Sequence, residues 1–205
     1  MSMIRNAAAA TLVLLTSPAF AQTARPQGGP ITCASPIARD DPETSLKLRF
    51  GKEAVVQDLA DAEGETHKGL VLFPNAADRR IEVSFSEDNA RRVSRLALRD
   101  TAETSRWNVN GVTIGSSLLD VQKANGRPFL VNGFEWDYGG LVTDWKGGAL
   151  GRPLQGGCTV TIRFDKNAAA PKSLLGDSVK AASDDAALVK WAPRVREIGV
   201  NFPEK

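Results

Sequence analysis

The apolar positions of the chain change their spacing several times between Leu46 and Phe202, and each change predicts an element. Leu46, Leu48 and Phe50 alternate with Lys47 and Arg49, which predicts a strand ended by Gly51; Val55, Val56, Leu59 and Ala62 then follow a helical spacing up to Gly64. Residues 70–73 and 79–85, joined through Pro74-Asn75, predict two strands with Ile81, Val83 and Phe85 inward, and 95–99 a further strand. Ser117 with Asp120 three residues on is a capping-box-like start, Leu118, Val121 and Ala124 recur at helical spacing, and Asn125-Gly126 with Pro128 supply a left-handed cap and a breaker.

After that helix the period becomes 2. Phe134, Trp136 and Tyr138 alternate with Glu135 and Asp137, Gly139-Gly140 follows, and Leu141, Thr143 and Trp145 alternate with Val142 and Asp144. A Gly-Gly pair between alternating runs predicts a two-residue hairpin, because both turn positions tolerate positive φ. In that register Tyr138 faces Leu141, Trp136 faces Thr143 and Phe134 faces Trp145, so one face carries four rings and the other sets Glu135 against Asp144. The aromatic face is expected to pack under the helix, with Phe134 and Trp136 covered and Tyr138 reachable beside Asp137.

The last third predicts a strand at Cys158–Phe164, a loop-like stretch over 166–182 into which Leu174 and Leu175 tuck, a short helix capped by Ser183 and ended at Pro193, and a strand from Val195 to Phe202. Laid side by side, Phe50-Gly51 matches Ile114-Gly115, the helix ending at Gly64 matches that ending at Gly126, the 70–85 hairpin matches 134–145, and the strand 96–99 matches 158–164. The fold class expected is therefore α+β: two tandem helix-then-antiparallel-sheet units, 46–100 and 107–165, in one domain (46–205) completed by a C-terminal helix and strand (183–202). Residues 22–45, with four prolines, a Gly pair and no apolar period, predict a flexible lead-in.

Composition narrows the setting. Residues 1–21 have Arg5, an apolar run from Ala7 to Leu15 and an Ala19-Phe20-Ala21 end, the pattern of a cleaved secretory signal peptide. That run is too short to span a bilayer, which takes roughly 20 apolar residues, and no cysteine sits at the cleavage point to take a lipid. A soluble periplasmic or secreted protein is expected. Cleavage takes one arginine from the 26 basic residues and none of the 24 acidic ones, leaving a near-balanced charge. Such a balance argues against a nucleic-acid or membrane-surface role, which needs a concentrated basic field. The two cysteines, Cys33 and Cys158, form an even set in an exported chain and are expected to pair. The bridge would tie the lead-in to the body and, across a loop of more than 100 residues, contribute about 4–5 kcal/mol in the chain-entropy account.

Residues 111–140, GVTIGSSLLDVQKANGRPFLVNGFEWDYGG, resemble the segment of SmpA/OmlA-type outer-membrane assembly lipoproteins in which a glycine and a small residue precede a helix, a glycine-x-proline stop and a tryptophan-aspartate-tyrosine run. Gly115, Val121, Gly126, Pro128, Trp136, Asp137 and Tyr138 carry the likeness, which spans about 35 of the 205 residues, 111–145. Beta-lactamase inhibitor protein is built from the same unit in tandem, so the resemblance implies a noncatalytic, inhibitor-like binding fold. The chain departs from the assembly lipoproteins in lacking a lipidated cysteine and in having a second unit.

The catalytic inventory is short. His67 is the only histidine and is expected in a polar turn, ETHKG; there is no H-E-x-x-H, S-x-x-K, G-x-S-x-G or phosphate loop, and no zinc-spaced cysteine set or calcium loop. No cofactor or metal is expected. Three readings follow. The first is an exported, noncatalytic interaction module of the cell envelope, inhibitor-like or an assembly accessory, with an envelope protein as partner. The second is a cell-wall or other glycan binder using Trp107, Trp136, Tyr138 and Trp145. The third is a two-carboxylate hydrolase using Glu135, Asp137 and Asp144 on one sheet face. Asp137 joins the four rings as the candidate binding residues.

Overall fold

The structure, a computed structural model, describes residues 27–60, 63–87, 92–99, 102–165 and 168–204; the expected signal peptide and the start of the lead-in lie outside the described residues. From Gln27 the lead-in is not the loose arm its prolines predict. Gly29–Pro30 (β1) pairs in parallel with Trp107 and Asn108, and the two isoleucines of the segment, Ile31 and Ile37, are buried in the main core. Their apolar surface, hidden from any periodic pattern by the intervening prolines, holds the segment down. Cys33 is joined to Cys158 as expected, with Cα atoms 5.7 Å apart.

The first predicted strand and helix exchange places. Leu46 and Phe50 are fully buried while Leu48 is 84% exposed, so the inward contacts recur at i and i+4 and Glu43–Phe50 is a helix, α1. Pro42 precedes it, Glu43 lies in its first turn, and Lys47 and Arg49 in its last, as the helix dipole favours. Gly51 ends it at φ 57°. Ala54–Ala60 is then a strand, β2, not a helix. The adjacent β-branched pair Val55-Val56 suits an extended backbone, and Leu59 is buried by lying over Gly69 of the next strand.

Thr66–Leu72 (β3), Ile81–Phe85 (β4) and Val93–Arg99 (β5) follow largely as predicted. Together with Thr159–Asp165 (β9) and Arg194–Asn201 (β11) they form a six-stranded sheet, all neighbours antiparallel, in the order β2-β3-β4-β5-β11-β9. One face is core: Leu70, Leu72, Ile81, Val83, Leu96 and Leu98 belong to a single buried cluster that runs from Ile31 to Phe202. The register puts Ser84 opposite Arg95, Glu82 opposite Ala97, Glu197 opposite both Arg99 and Arg163, and Gly199 opposite Thr161. Those positions form the other, polar face.

The middle of the chain contains Trp107–Asn108 (β6), which closes on β1, and Leu118–Asn125, the predicted helix, here α2. Its capping box is formed: the Ser117 hydroxyl accepts from the Asp120 N–H and the Asp120 carboxylate accepts from the Ser117 N–H. Gly126 provides the left-handed cap at φ 79°. The predicted aromatic hairpin does not form. Leu130–Asn132 (β7) and Val142–Asp144 (β8) are the paired strands, with Lys180–Ala182 (β10) on the far side of β7, and residues 133–141 are their connection. Glu135 takes φ 63°, which no strand accommodates. Gly140 is a point of close approach, not a two-residue turn partner: a Cβ there would collide with the Phe164 carbonyl oxygen. The predicted pairings of Phe134, Trp136 and Tyr138 with 141–145 are therefore absent.

Ala186–Trp191 (α3) is capped by Asp185, whose carboxylate accepts from the Ala187 and Leu188 N–H groups. Ser183, the expected cap, is instead buried, accepting from the Phe129 N–H and donating to Gln122. The architecture is α+β with mostly antiparallel sheets. A helix followed by antiparallel strands occurs in both halves, α1 before β2–β5 and α2 before β7–β9, but not in the register the spacing predicts. Phe50-Gly51 closes a helix, whereas Ile114-Gly115 precedes one.

Candidate functional site

The 133–141 connection is held across the end of the six-stranded sheet. Gly133 and Phe134 donate backbone N–H groups to the Val179 and Leu174 carbonyls, and the Phe164 N–H donates to Gly140. Arg163, on the polar face of β9, adds a side-chain tie from Nε to the Gly139 carbonyl at 2.8 Å. Phe134 is buried against Trp191 of α3, ring centroids 4.6 Å apart, not under α2. The chain then turns outward, and Trp136, Asp137 and Tyr138 come to border a cavity of about 440 Å³ between the connection and the sheet. A second cavity of about 290 Å³ lies on the other side of Trp136 and Arg163.

The sheet floor of the larger cavity is charged and ordered. Arg95 donates to Glu197 at 2.6 Å and to Asn201 at 3.2 Å. Arg99 stands 2.9 Å from Glu82 and 3.9 Å from Glu197, and donates to the Ala60 carbonyl. Glu82 also meets Arg80 at 3.0 Å and is only 8% exposed, so its two arginines offset the cost of burying its charge. Gly199 makes this possible, because a side chain there would occupy the space of the Arg95 guanidinium and the Thr161 hydroxyl. Leu141 and Ile162 supply apolar lining.

The five candidate binding residues do not assemble as one platform. Trp107 is 1% exposed, its indole N–H donating to the Arg79 carbonyl at 2.7 Å beside Phe73; it is core. Trp145 packs on Phe129, centroids 5.4 Å apart, away from the cavity. Trp136, expected under the helix, is half-buried, with its indole N–H donated to the Gly133 carbonyl at 2.8 Å. Tyr138, 37% exposed, lies 5.5 Å from Trp136 at a 60° tilt and donates its hydroxyl to Glu63 at 2.6 Å. Asp137 is exposed at the same edge.

The three carboxylates of the hydrolase reading are also dispersed, since the sheet face that would have aligned them is absent. Glu135 accepts from the Ala170 N–H at the smaller cavity, and Asp137 borders the larger one. Asp144 accepts from the Lys146 backbone N–H, which with the ammonium of that lysine holds its carboxyl below the usual range. Among the described residues no group of three histidine, cysteine, aspartate or glutamate side chains is placed to hold a metal ion.

The sequence pattern missed the cations. Arg95, Arg99 and Arg163 sit at alternating strand positions with no motif, and only the β5-β11-β9 pairing, invisible in spacing, gathers them. It also misplaced His67, which is on β3 and not in a turn; its Nε2 lies 3.0 Å from the Ser84 hydroxyl, and it borders the same cavity. No described carboxylate bonds the other ring nitrogen, so the pair lacks the orienting group of a serine–histidine dyad. No protein-family model, curated protein or solved structure matches the chain.

Proposed function

We propose that this protein is an exported, noncatalytic interaction module of the cell envelope, and that its partner protein docks over the cavity bordered by Trp136, Asp137 and Tyr138. The observation that carries the reading is the meeting of two half-exposed aromatic rings with an arginine-rich sheet face. Tryptophan, tyrosine and arginine are the residues through which protein interfaces gain most of their affinity. The disulfide fits an oxidising compartment, and the periplasm is the setting proposed. The capped helix α2 and its glycine stop support the likeness to the SmpA/OmlA-type lipoproteins and to beta-lactamase inhibitor protein, although the tryptophan-aspartate-tyrosine run is a connection here and not a strand. The test is affinity capture from an envelope extract by the chain purified after export, compared with Tyr138→Ala and Trp136→Ala. A partner retained by the native chain and lost from both variants supports the reading; no partner, or equal capture by all three, overturns it.

A glycan ligand is the second reading, and it rests on the Trp136–Tyr138 ring pair beside a cavity of ligand size. Saturable protection of tryptophan fluorescence from acrylamide by soluble cell-wall fragments would favour it. Unchanged quenching would remove it.

A further inference from the structure

The three arginines of the cavity are not equivalent. Arg95 and Arg99 are committed to Glu197, Glu82, Asn201 and the Ala60 carbonyl. Arg163 uses only Nε, on the Gly139 carbonyl, and among the described residues its Nη1 and Nη2 groups meet no acceptor. Glu197, its cross-strand neighbour, is already taken by the other two. Thr161, two positions earlier on the same strand face, also borders the cavity, and its buried hydroxyl has no hydrogen-bond partner among the described residues. A guanidinium tied down at one nitrogen and open at the others is preorganised, and its planar fork matches a carboxylate in two parallel hydrogen bonds.

The open fork lies between the charged sheet floor and two aromatic rings. The Trp136 indole N–H and the Tyr138 hydroxyl both have acceptors within the fold, so each residue offers its ring and not a free polar end. Leu141 adds apolar lining, and among the described residues the two carboxylates at the cavity are Glu197, held by Arg95 and Arg99, and Asp137, exposed at its rim. The volume, about 440 Å³, lies in the range of sites that enclose a small ligand or a residue or two of a peptide.

We infer that Arg163 is the anion-binding residue of this cavity and that the docking partner presents to it a carboxylate carried beside an apolar or aromatic group, from either the C-terminal end or an acidic side chain of a peptide. This rests on the reading of the cavity as the docking face. The experiment titrates the exported protein, by tryptophan fluorescence, with N-acetyl-phenylalanine, N-acetyl-aspartyl-phenylalaninamide and the neutral N-acetyl-phenylalaninamide. Saturable binding of at least one acid, with the amide about tenfold or more weaker, is expected, and the tighter of the two acids tells a chain end from a side chain. Arg163→Gln should weaken the acid by about tenfold or more and leave the amide unchanged.

Equal binding of acid and amide overturns the inference, as does no binding of any probe up to about 10 mM. So does unchanged acid affinity in an Arg163→Gln protein with the native unfolding midpoint; if that variant fails to fold, the acid-against-amide contrast on the native protein decides alone. Capture from envelope extract separates the two claims. A partner held equally by the native protein and Arg163→Gln sinks the carboxylate inference and leaves the docking face standing, whereas a native protein that holds no partner sinks the docking face.

Discussion

Truncating Trp107 and Trp136 separately should split the stability of the fold from the binding edge. Trp107 is 1% exposed and its indole N–H bonds the Arg79 carbonyl. Removing a core tryptophan costs about 3–5 kcal/mol, and the stranded carbonyl adds up to about 1–3 kcal/mol unless water enters the void to meet it. Trp107→Ala is therefore expected to lose at least about 3–5 kcal/mol, a large part of the total stability of an ordinary domain. Trp107→Phe keeps most of the packing beside Phe73 and should lose only about 1–2 kcal/mol, mainly the hydrogen bond. Trp136 has a cavity on either side, so fewer contacts vanish with it. Trp136→Ala should cost about 1–2 kcal/mol, chiefly its bond to the Gly133 carbonyl and its contact with Tyr138. Urea denaturation followed by far-ultraviolet circular dichroism gives all three values. A Trp136→Ala loss equal to that of Trp107→Ala would show Trp136 to be core and refute the division.

Three further outcomes test the frame that positions the cavity. Gly126→Ala has open space for the added methyl but φ 79° to maintain, and should lower stability by about 1 kcal/mol; an unchanged urea midpoint would count against the left-handed cap. Titration of the unfolded, unreduced protein should find no free thiol, and reduction should cost about 4–5 kcal/mol given the 125-residue separation of Cys33 and Cys158. Two titratable thiols would contradict the bridge. The Ser117 hydroxyl, and then the Ser117 N–H, hold the Asp120 carboxyl below its ordinary value of 3.8. A lowered folded pKa contributes stability that is complete above the unfolded value and is lost as pH falls through the folded one, so the stability gap between the native protein and Asp120→Asn should close below that window; a gap that widens in acid would reverse the assignment.

Local chemistry was legible where the residues themselves enforce it. Ser117, Asp120 and Gly126 carry cap and stop within ten residues, and Ile81, Val83 and Phe85 mark a half-buried strand without help from elsewhere. The errors came where one pattern satisfies two periods. Leu46 and Phe50 are both two strand steps and one helical turn apart, and only the exposure of Leu48 separates the cases. At Phe134–Tyr138 the alternation of residue types did not reflect a strand; Phe134 is buried against Trp191, the chain then turns outward to place Trp136 and Tyr138 at the cavity edge, and Gly140 is needed for contact with β9, 24 residues away at Phe164. The candidate site was half legible for the same reason. Trp136, Asp137 and Tyr138 are adjacent in sequence, whereas Arg95, Arg99, Arg163 and Glu197 meet only through non-local strand pairing.

The most direct test of the docking face is site-specific photo-cross-linking in the envelope of the producing cell, with a benzoylphenylalanine placed at Tyr138 or, as control, at Leu119, which is 72% exposed on α2 and borders a separate groove. The account predicts a discrete adduct from position 138 and none from position 119. An adduct from 119 alone, or none from either, would contradict it.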